Sequence, residues 1–134
     1  CPFAAHIRKT NPRADIPESA IQPSLILRRG IPFGPEVTPE EEATKVTLCE
    51  RGLLFVCYQS NLDKGFSFLQ HSWANAPNFP PQEPQMPGSD PLIGQSEDNL
   101  NGTRIITGAF SGSPGEQTEL TQQWILSKGG EYFF

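Results

Sequence analysis

Residues 1–13 read Cys-Pro-Phe-Ala-Ala-His-Ile-Arg-Lys-Thr-Asn-Pro-Arg, and residues 26–34 read Ile-Leu-Arg-Arg-Gly-Ile-Pro-Phe-Gly. The first stretch holds His6, one of only two histidines, behind the small residues Ala4 and Ala5 and ahead of Arg8, Lys9 and Arg13. Small side chains before an imidazole let the backbone approach a flat group closely. The second stretch sets two adjacent cations, Arg28 and Arg29, before a Gly-Ile-Pro-Phe-Gly run. Pro12, Pro17, Pro23, Pro32 and Pro35 interrupt helices and central strands. Residues 1–35 are therefore predicted to be mostly ordered loop draped over a ligand.

Regular structure is predicted further along. Residues 38–42, Thr-Pro-Glu-Glu-Glu, have the form of a helix start: a capping Thr, Pro first, acids after. Two apolar runs, 46–49 and 53–58, flank Glu50-Arg51-Gly52 and read as a hairpin centred near Arg51. In that register Cys49 and Cys57 are not cross-strand neighbours, which favours buried free thiols over a disulfide. The alternation over 51–59 puts Leu53, Phe55 and Cys57 on one face and Leu54, Val56 and Tyr58 on the other. Both faces are apolar, so this strand is predicted to be central and covered on both sides. A helix is predicted over 61–76, capped by Asn61, with Leu62, Phe66, Leu69 and Trp73 as one stripe. Strand followed by helix suggests a βαβ-type element. Residues 77–91 are too Pro-rich to be regular; 104–110 read as a strand. Residues 124–127 and 131–134, around Lys128-Gly129-Gly130, read as a hairpin with Trp124 in its strand and in the core.

The 134 residues are enough for one domain with a core. Their 36% hydrophobic content is low against a typical ~45–50%, which suits a module resting on something else. A formal net charge of −5 argues against a nucleic-acid partner. No apolar run reaches the ~18 residues that a membrane helix needs. Residues 101–103, Asn-Gly-Thr, form a glycosylation sequon at Asn101, a weak pointer to a secreted, extracellular protein.

Taken together, residues 1–13 and 26–34 resemble the proximal and distal haem segments of the dye-decolorising peroxidases, especially the secreted fungal ones. The rest of the chain resembles that family nearly end to end. The family's distal Gly-x-x-Asp-Gly motif, whose aspartate acts in peroxide cleavage, does not occur here. Cys1 stands where a natural start would have Met. The resemblance thus implies that residues 1–134 are the C-terminal haem-binding module of a longer enzyme, with an absent N-terminal portion as partner. The fold implied is a ferredoxin-like α+β module of the dimeric α+β barrel type, the C-terminal half of a two-module haem peroxidase.

The resemblance also implies roles. His6 matches the proximal iron ligand, with Arg8 and Arg13 among the cofactor-binding residues of the same segment. Asp90, in Gly-Ser-Asp-Pro-Leu-Ile-Gly, matches the carboxylate that takes the imidazole's second N–H. Arg28 matches the distal arginine, a fixed cation for charge building on the leaving oxygen; Arg29 is the rival assignment. Leu53 and Phe55 match apolar residues lining a narrow, dry distal cavity that admits peroxide but not a dye. Bulky substrates must then be oxidised at the surface, and Trp73 is the expected electron-transfer residue, partly exposed at the helix end. A tyrosine found in the second motif of some relatives is Phe33 here. His71 has no such context and is expected to face solvent. The cofactor implied is haem b, iron protoporphyrin IX; the substrates implied are hydrogen peroxide and aromatic dyes or phenols. A non-enzymatic secreted haem-binding module of related fold is the alternative, and Arg28 argues against it because a carrier needs no distal cation.

Overall fold

The computed structural model describes residues 2–83, 85–95, 104–109, 113 and 115–133. The strand expected over 51–59 forms as β2, Gly52–Gln59. Its partner lies in the segment expected to be loop: β1, Ile26–Phe33, pairs with it antiparallel along its whole length, from Ile26 opposite Gln59 to Phe33 opposite Gly52. Pro32 is tolerated because the ribbon has two strands and Pro32 needs no further partner. The expectation that β2 is central and covered on both sides is not met. Leu53 and Leu54, on opposite faces, are each 58% exposed.

Residues 46–49 are apolar but form no strand, because their backbone is engaged elsewhere. Glu41, in helix α3 (Pro39–Thr44; α1 and α2 follow below), is buried and collects donors. Its Oε1 accepts from the N–H groups of Leu48 and Cys49 at 2.7 and 3.0 Å and from Arg51 Nη1 at 2.9 Å. Its Oε2 accepts from Arg51 Nη2 at 2.8 Å and from the Thr38 N–H at 2.9 Å. The Thr38 hydroxyl accepts in turn from the Glu41 N–H, completing the capping box that the Thr-Pro-Glu-Glu sequence announces. Arg51 also donates to the carbonyls of Pro35 and Glu36. One carboxylate and one guanidinium thus close the connection between β1 and β2. Gly34 opens it with φ +97, where a Cβ would meet the Arg51 Cβ at 2.5 Å.

The remaining elements are short. Helix α1 is His6–Thr10, followed by a 3-10 turn at Arg13–Asp15 and by α2, Glu18–Ile21. The helix expected over 61–76 starts late. Asn61 Oδ1 takes the N–H groups of Asp63 and Lys64 in a local turn, and only after Gly65 does α4, Phe66–Phe68, begin. It widens at once into a π-type turn, Leu69–Ala74, in which the Asn75 N–H reaches the Gln70 carbonyl at 2.9 Å. Leu69 and Trp73 are buried as the stripe requires, while Leu62 lies outside the helix and is 39% exposed. Phe55 of β2 packs on Phe66 with ring centroids 5.3 Å apart, docking the ribbon on this helix.

Strand β3, Arg104–Thr107, shorter than the expected 104–110, pairs antiparallel with β4, Gln117–Leu120. The expected hairpin over 124–134 does not form among the described residues, and Trp124 is 52% exposed rather than core. Both sheets are antiparallel, so the expected βαβ unit is absent among the described residues and the architecture is α+β. Cys49 and Cys57 are free and half-buried; Cys57 lies opposite Arg28 in the ribbon, and burial pushes its thiol up.

Arg51 first, and then the converging N–H groups, hold the Glu41 carboxyl well below the usual carboxylate range. A depressed folded value means that the stabilisation is present above the unfolded carboxyl value of about 4.3 and is lost as pH falls below it. Glu41→Gln is expected to lower the thermal midpoint at pH 7 and to flatten its decline between about pH 5 and pH 3. Parallel pH–melting curves for the wild type and the variant would contradict this.

Candidate functional site

The site is built from α1 and the irregular chain at 74–95. His6 and Lys9 are three residues apart and share one side of α1. His6 Nδ1 lies 2.8 Å from Asp90 Oδ2. A carboxylate accepts, so Nδ1 carries the hydrogen and Nε2 keeps its lone pair. The imidazole is 38% exposed and Asp90 is fully buried, so the ring emerges from the protein while its anchor does not.

Asp90 is held as firmly as it holds. Its Oδ1 accepts from the N–H groups of Leu92 and Ile93 at 2.8 and 2.9 Å. Its own N–H donates to the Ala74 carbonyl at 2.8 Å, and its carbonyl accepts from Gly94. The wide turn at 69–74 matters here, since a helix end leaves carbonyls unpaired. Ala74, Asn75 and Ala76 present theirs to the Asp90 N–H, the Ser89 hydroxyl and Lys9 respectively.

Lys9 is the larger surprise. It has no exposed surface. Its Nζ donates to the carbonyls of Ala76, Phe79 and Gly88 at 2.6, 2.7 and 2.7 Å, filling all three of its donor positions. Burial pulls the Lys9 ammonium down to about 8, with Asp90 acting in the opposite direction. The ammonium therefore remains charged at neutral pH. It ties α1 to the loop two residues ahead of Asp90 and so fixes His6 relative to its carboxylate. Gly88 sits at φ +99, where a Cβ would collide with the Ile105 carbonyl.

The other expected site residues fall elsewhere. Arg8 directs its fork to Asp15, Nε to Oδ2 and Nη2 to Oδ1, both at 2.6 Å, and reaches Glu83 at 3.3 Å. Its guanidinium also lies over the Phe3 ring. Arg8 thus braces α1 against the following turn, and Arg13, at φ 52, is exposed. Arg28 shares one ribbon face with Leu53, Phe55 and Cys57, because residues opposite each other in an antiparallel pair point the same way. Arg29 points to the opposite face beside Val56. Phe55 is 38% and Leu53 58% exposed, so the expected dry cavity is not enclosed by the described residues of this chain.

Trp73 is 5% exposed, not partly exposed at the surface as expected. Its ring stacks on Phe79 at 5.0 Å and meets Phe68 edge-on at 5.5 Å, so aromatic neighbours on both sides cover it. His71 faces solvent as expected. Asn101 lies outside the described residues. Sequence reasoning missed Lys9 and the buried Arg104 of β3; nothing in their local pattern distinguishes a buried cation from a solvated one. Among the described residues no cluster of three or more His, Cys, Asp or Glu side chains is arranged to hold a metal.

Comparison with known proteins decides the family. Residues 1–79 match the family described as Dyp-type peroxidase, C-terminal. The chain belongs to the dye-decolorizing peroxidase family. A dye-decolorizing peroxidase of Auricularia auricula-judae is 48% identical over 141 residues, covering 100% of this chain and 27% of the relative. One from Exidia glandulosa is 48% identical over 134 residues, covering 100% and 25%. The crystal structure of a decolorizing peroxidase from Auricularia auricula-judae superposes with a TM-score of 0.86 at 45% identity, covering 97% of this chain and 30% of that one. The chain thus spans less than a third of the length of these dye-decolorizing peroxidases. The fold class it shares with them is ferredoxin-like α+β.

Lys9→Met should leave the Phe79 and Gly88 carbonyls without their Lys9 donor, while Ala76 keeps the Phe79 N–H, and should cost about 3 kcal/mol or more. Urea denaturation checks this; a loss under about 0.5 kcal/mol, the range of an ordinary surface change, would contradict the structural role.

Proposed function

We propose that this chain is the proximal module of a haem peroxidase that uses hydrogen peroxide to oxidise aromatic dyes and phenols. The observation that carries the reading is the 2.8 Å hydrogen bond from His6 Nδ1 to a fully buried Asp90. It leaves Nε2 as a half-exposed nitrogen donor on a fixed ring, which would suit it to hold the iron of protoporphyrin IX. The small, half-buried Ala5 beside it fits the close approach of a flat macrocycle. Bound there, haem supplies two-electron exchange with peroxide and one-electron exchange with organic reductants.

The chain's own residues have distinct tasks in this reading. Asp90 keeps the His6 ring in one orientation and makes Nε2 a stronger donor. Lys9 fixes both on one scaffold. Arg28 provides a permanent positive charge for the oxygen that departs with a pair of electrons. Leu53 and Phe55, on the same face as Arg28, supply apolar wall, and exposed Arg13 is a cation available to the cofactor's carboxylates. Water exclusion on that face requires cover beyond the described residues, and the family's peroxide-cleaving aspartate motif is not in this sequence. A portion of the protein outside residues 1–134 is the proposed source of both. Trp73, buried between Phe79 and Phe68, is proposed only as an interior relay between the cofactor and the surface.

Two outcomes are expected in the full-length haem-loaded protein. His6→Ala abolishes stable haem binding or strongly displaces the Soret band; an unchanged ferric spectrum would overturn the ligand assignment. Arg28→Leu slows the stopped-flow reaction with peroxide by about 10²–10³-fold, while Arg29→Leu leaves it within about twofold. The reverse ranking would contradict the assignment of Arg28 from its face of the ribbon.

A further inference from the structure

Arg104 stands at the start of β3 and is 4% exposed. Only Nη2 is partnered, donating to the Gln122 carbonyl at 2.5 Å. Nε and Nη1 are buried without a hydrogen-bond partner. An interior guanidinium with two unpartnered nitrogens is costly, and such a group in a native fold calls for a reason. The indole of Trp124 lies over the Arg104 guanidinium at 5.3 Å and meets the charge on one face, but it gives Nε and Nη1 no hydrogen-bond acceptor. Lys9 differs, since three carbonyls engage its ammonium completely.

The neighbour that answers to Arg104 is Asp90. Gly88 bridges Ile106 in antiparallel register, and the Thr107 N–H donates to the Pro87 carbonyl at 3.0 Å. That single bridge lies two residues from Asp90 on one chain segment and two residues from Arg104 on the other, which brings the two segments side by side. Burial works against the charge of Arg104 and Asp90 works for it. No hydrogen bond joins the two: Asp90 Oδ1 accepts from Leu92 and Ile93, Oδ2 accepts from His6, and Arg104 Nη2 is directed to Gln122. Their interaction is therefore through space, across a low-dielectric interior where such a field is felt strongly.

We propose that Arg104 is a positioning residue for His6 that acts through Asp90. Its guanidinium attracts the carboxylate without bonding to it, and so limits how strongly that carboxylate pulls on the His6 Nδ1 hydrogen. The donor strength of Nε2 is thereby set by a balance between the Asp90 charge and a buried cation on a different strand. Losing Arg104 removes two unpartnered nitrogens from the interior, so a purely structural role predicts little or no effect on His6. A tuning role predicts a stronger His6–Asp90 hydrogen bond.

This inference rests on His6 being the axial ligand, and the experiment separates the two. The iron–histidine stretching band of the reduced, full-length haem protein is measured by resonance Raman for wild type, Arg104→Met, Arg104→Gln, Arg104→Lys and His6→Ala. The expected result is a band at higher frequency in Arg104→Met and Arg104→Gln, and a band near the wild-type position in Arg104→Lys. In the haem-free protein the His6 Nδ1 proton resonance should move further downfield in the two neutral variants. Unshifted bands in both neutral variants, or equal shifts in Arg104→Lys and Arg104→Met, would overturn the tuning role and leave His6 as the ligand. Failure of both neutral variants to fold would make Arg104 a determinant of folding and overturn it too. Absence of the band in wild type, or its survival in His6→Ala, would overturn the ligand assignment and this inference with it.

Discussion

The carboxylate of Asp90 is the constraint on which the site depends. A buried anion must be met by donors or cations from the chain around it. Here three donors converge on it from two directions: the N–H groups of Leu92 and Ile93 from its own turn, and His6 from α1. Two buried cations, Lys9 and Arg104, feel its charge without bonding to it. Most other local features serve this arrangement. The π-type turn at Leu69–Ala74 frees carbonyls that receive the Asp90 backbone and Lys9. Gly88 permits the close passage of β3 behind the loop.

The β1–β2 ribbon is a second, differently built unit. Its connection is closed by Glu41 and Arg51, and its dock on the rest of the chain runs through Phe55 and Phe66. Unlike the Asp90 cluster it keeps large apolar side chains in the open, Leu27 at 73% and Tyr58 at 77% exposure among them. Arg28 rides on this ribbon and not on the element that holds His6. The two sides of the proposed haem site therefore come from separate structural pieces, one rigidified by buried charge and the other by strand pairing.

Much of this was legible in the sequence, for reasons that can be named. His6 and Asp90 stand out because their segments resemble those of the family, and the structure brings them together. The alternation over 51–59 correctly placed Leu53, Phe55 and Cys57 on one face, because period-two patterning survives whatever the strand pairs with. The pairing itself was misread. Residues 46–49 look like a strand, yet their N–H groups bond to the Glu41 side chain, a long-range polar contact that no local pattern encodes. The same lesson applies to β1, which has five prolines around it but only one inside it. Lys9 and Arg104 were invisible as buried cations, because their burial is decided by carbonyls and a carboxylate some 14 to 79 positions away. Trp73 was correctly placed on the apolar stripe; its full burial comes from Phe79, a residue of the Pro-rich segment beyond the helix.

The account turns on one hydrogen atom, the one on His6 Nδ1. Long-range nitrogen–proton NMR correlation in the haem-free full-length protein reads the tautomer directly, since a protonated and an unprotonated ring nitrogen differ widely in nitrogen shift. The structure predicts the Nδ1–H tautomer, with its proton strongly downfield and protected from exchange, and predicts that Asp90→Asn weakens both signatures. An Nε2–H tautomer, or an Nδ1 proton that exchanges as fast as that of solvent-facing His71, would contradict it.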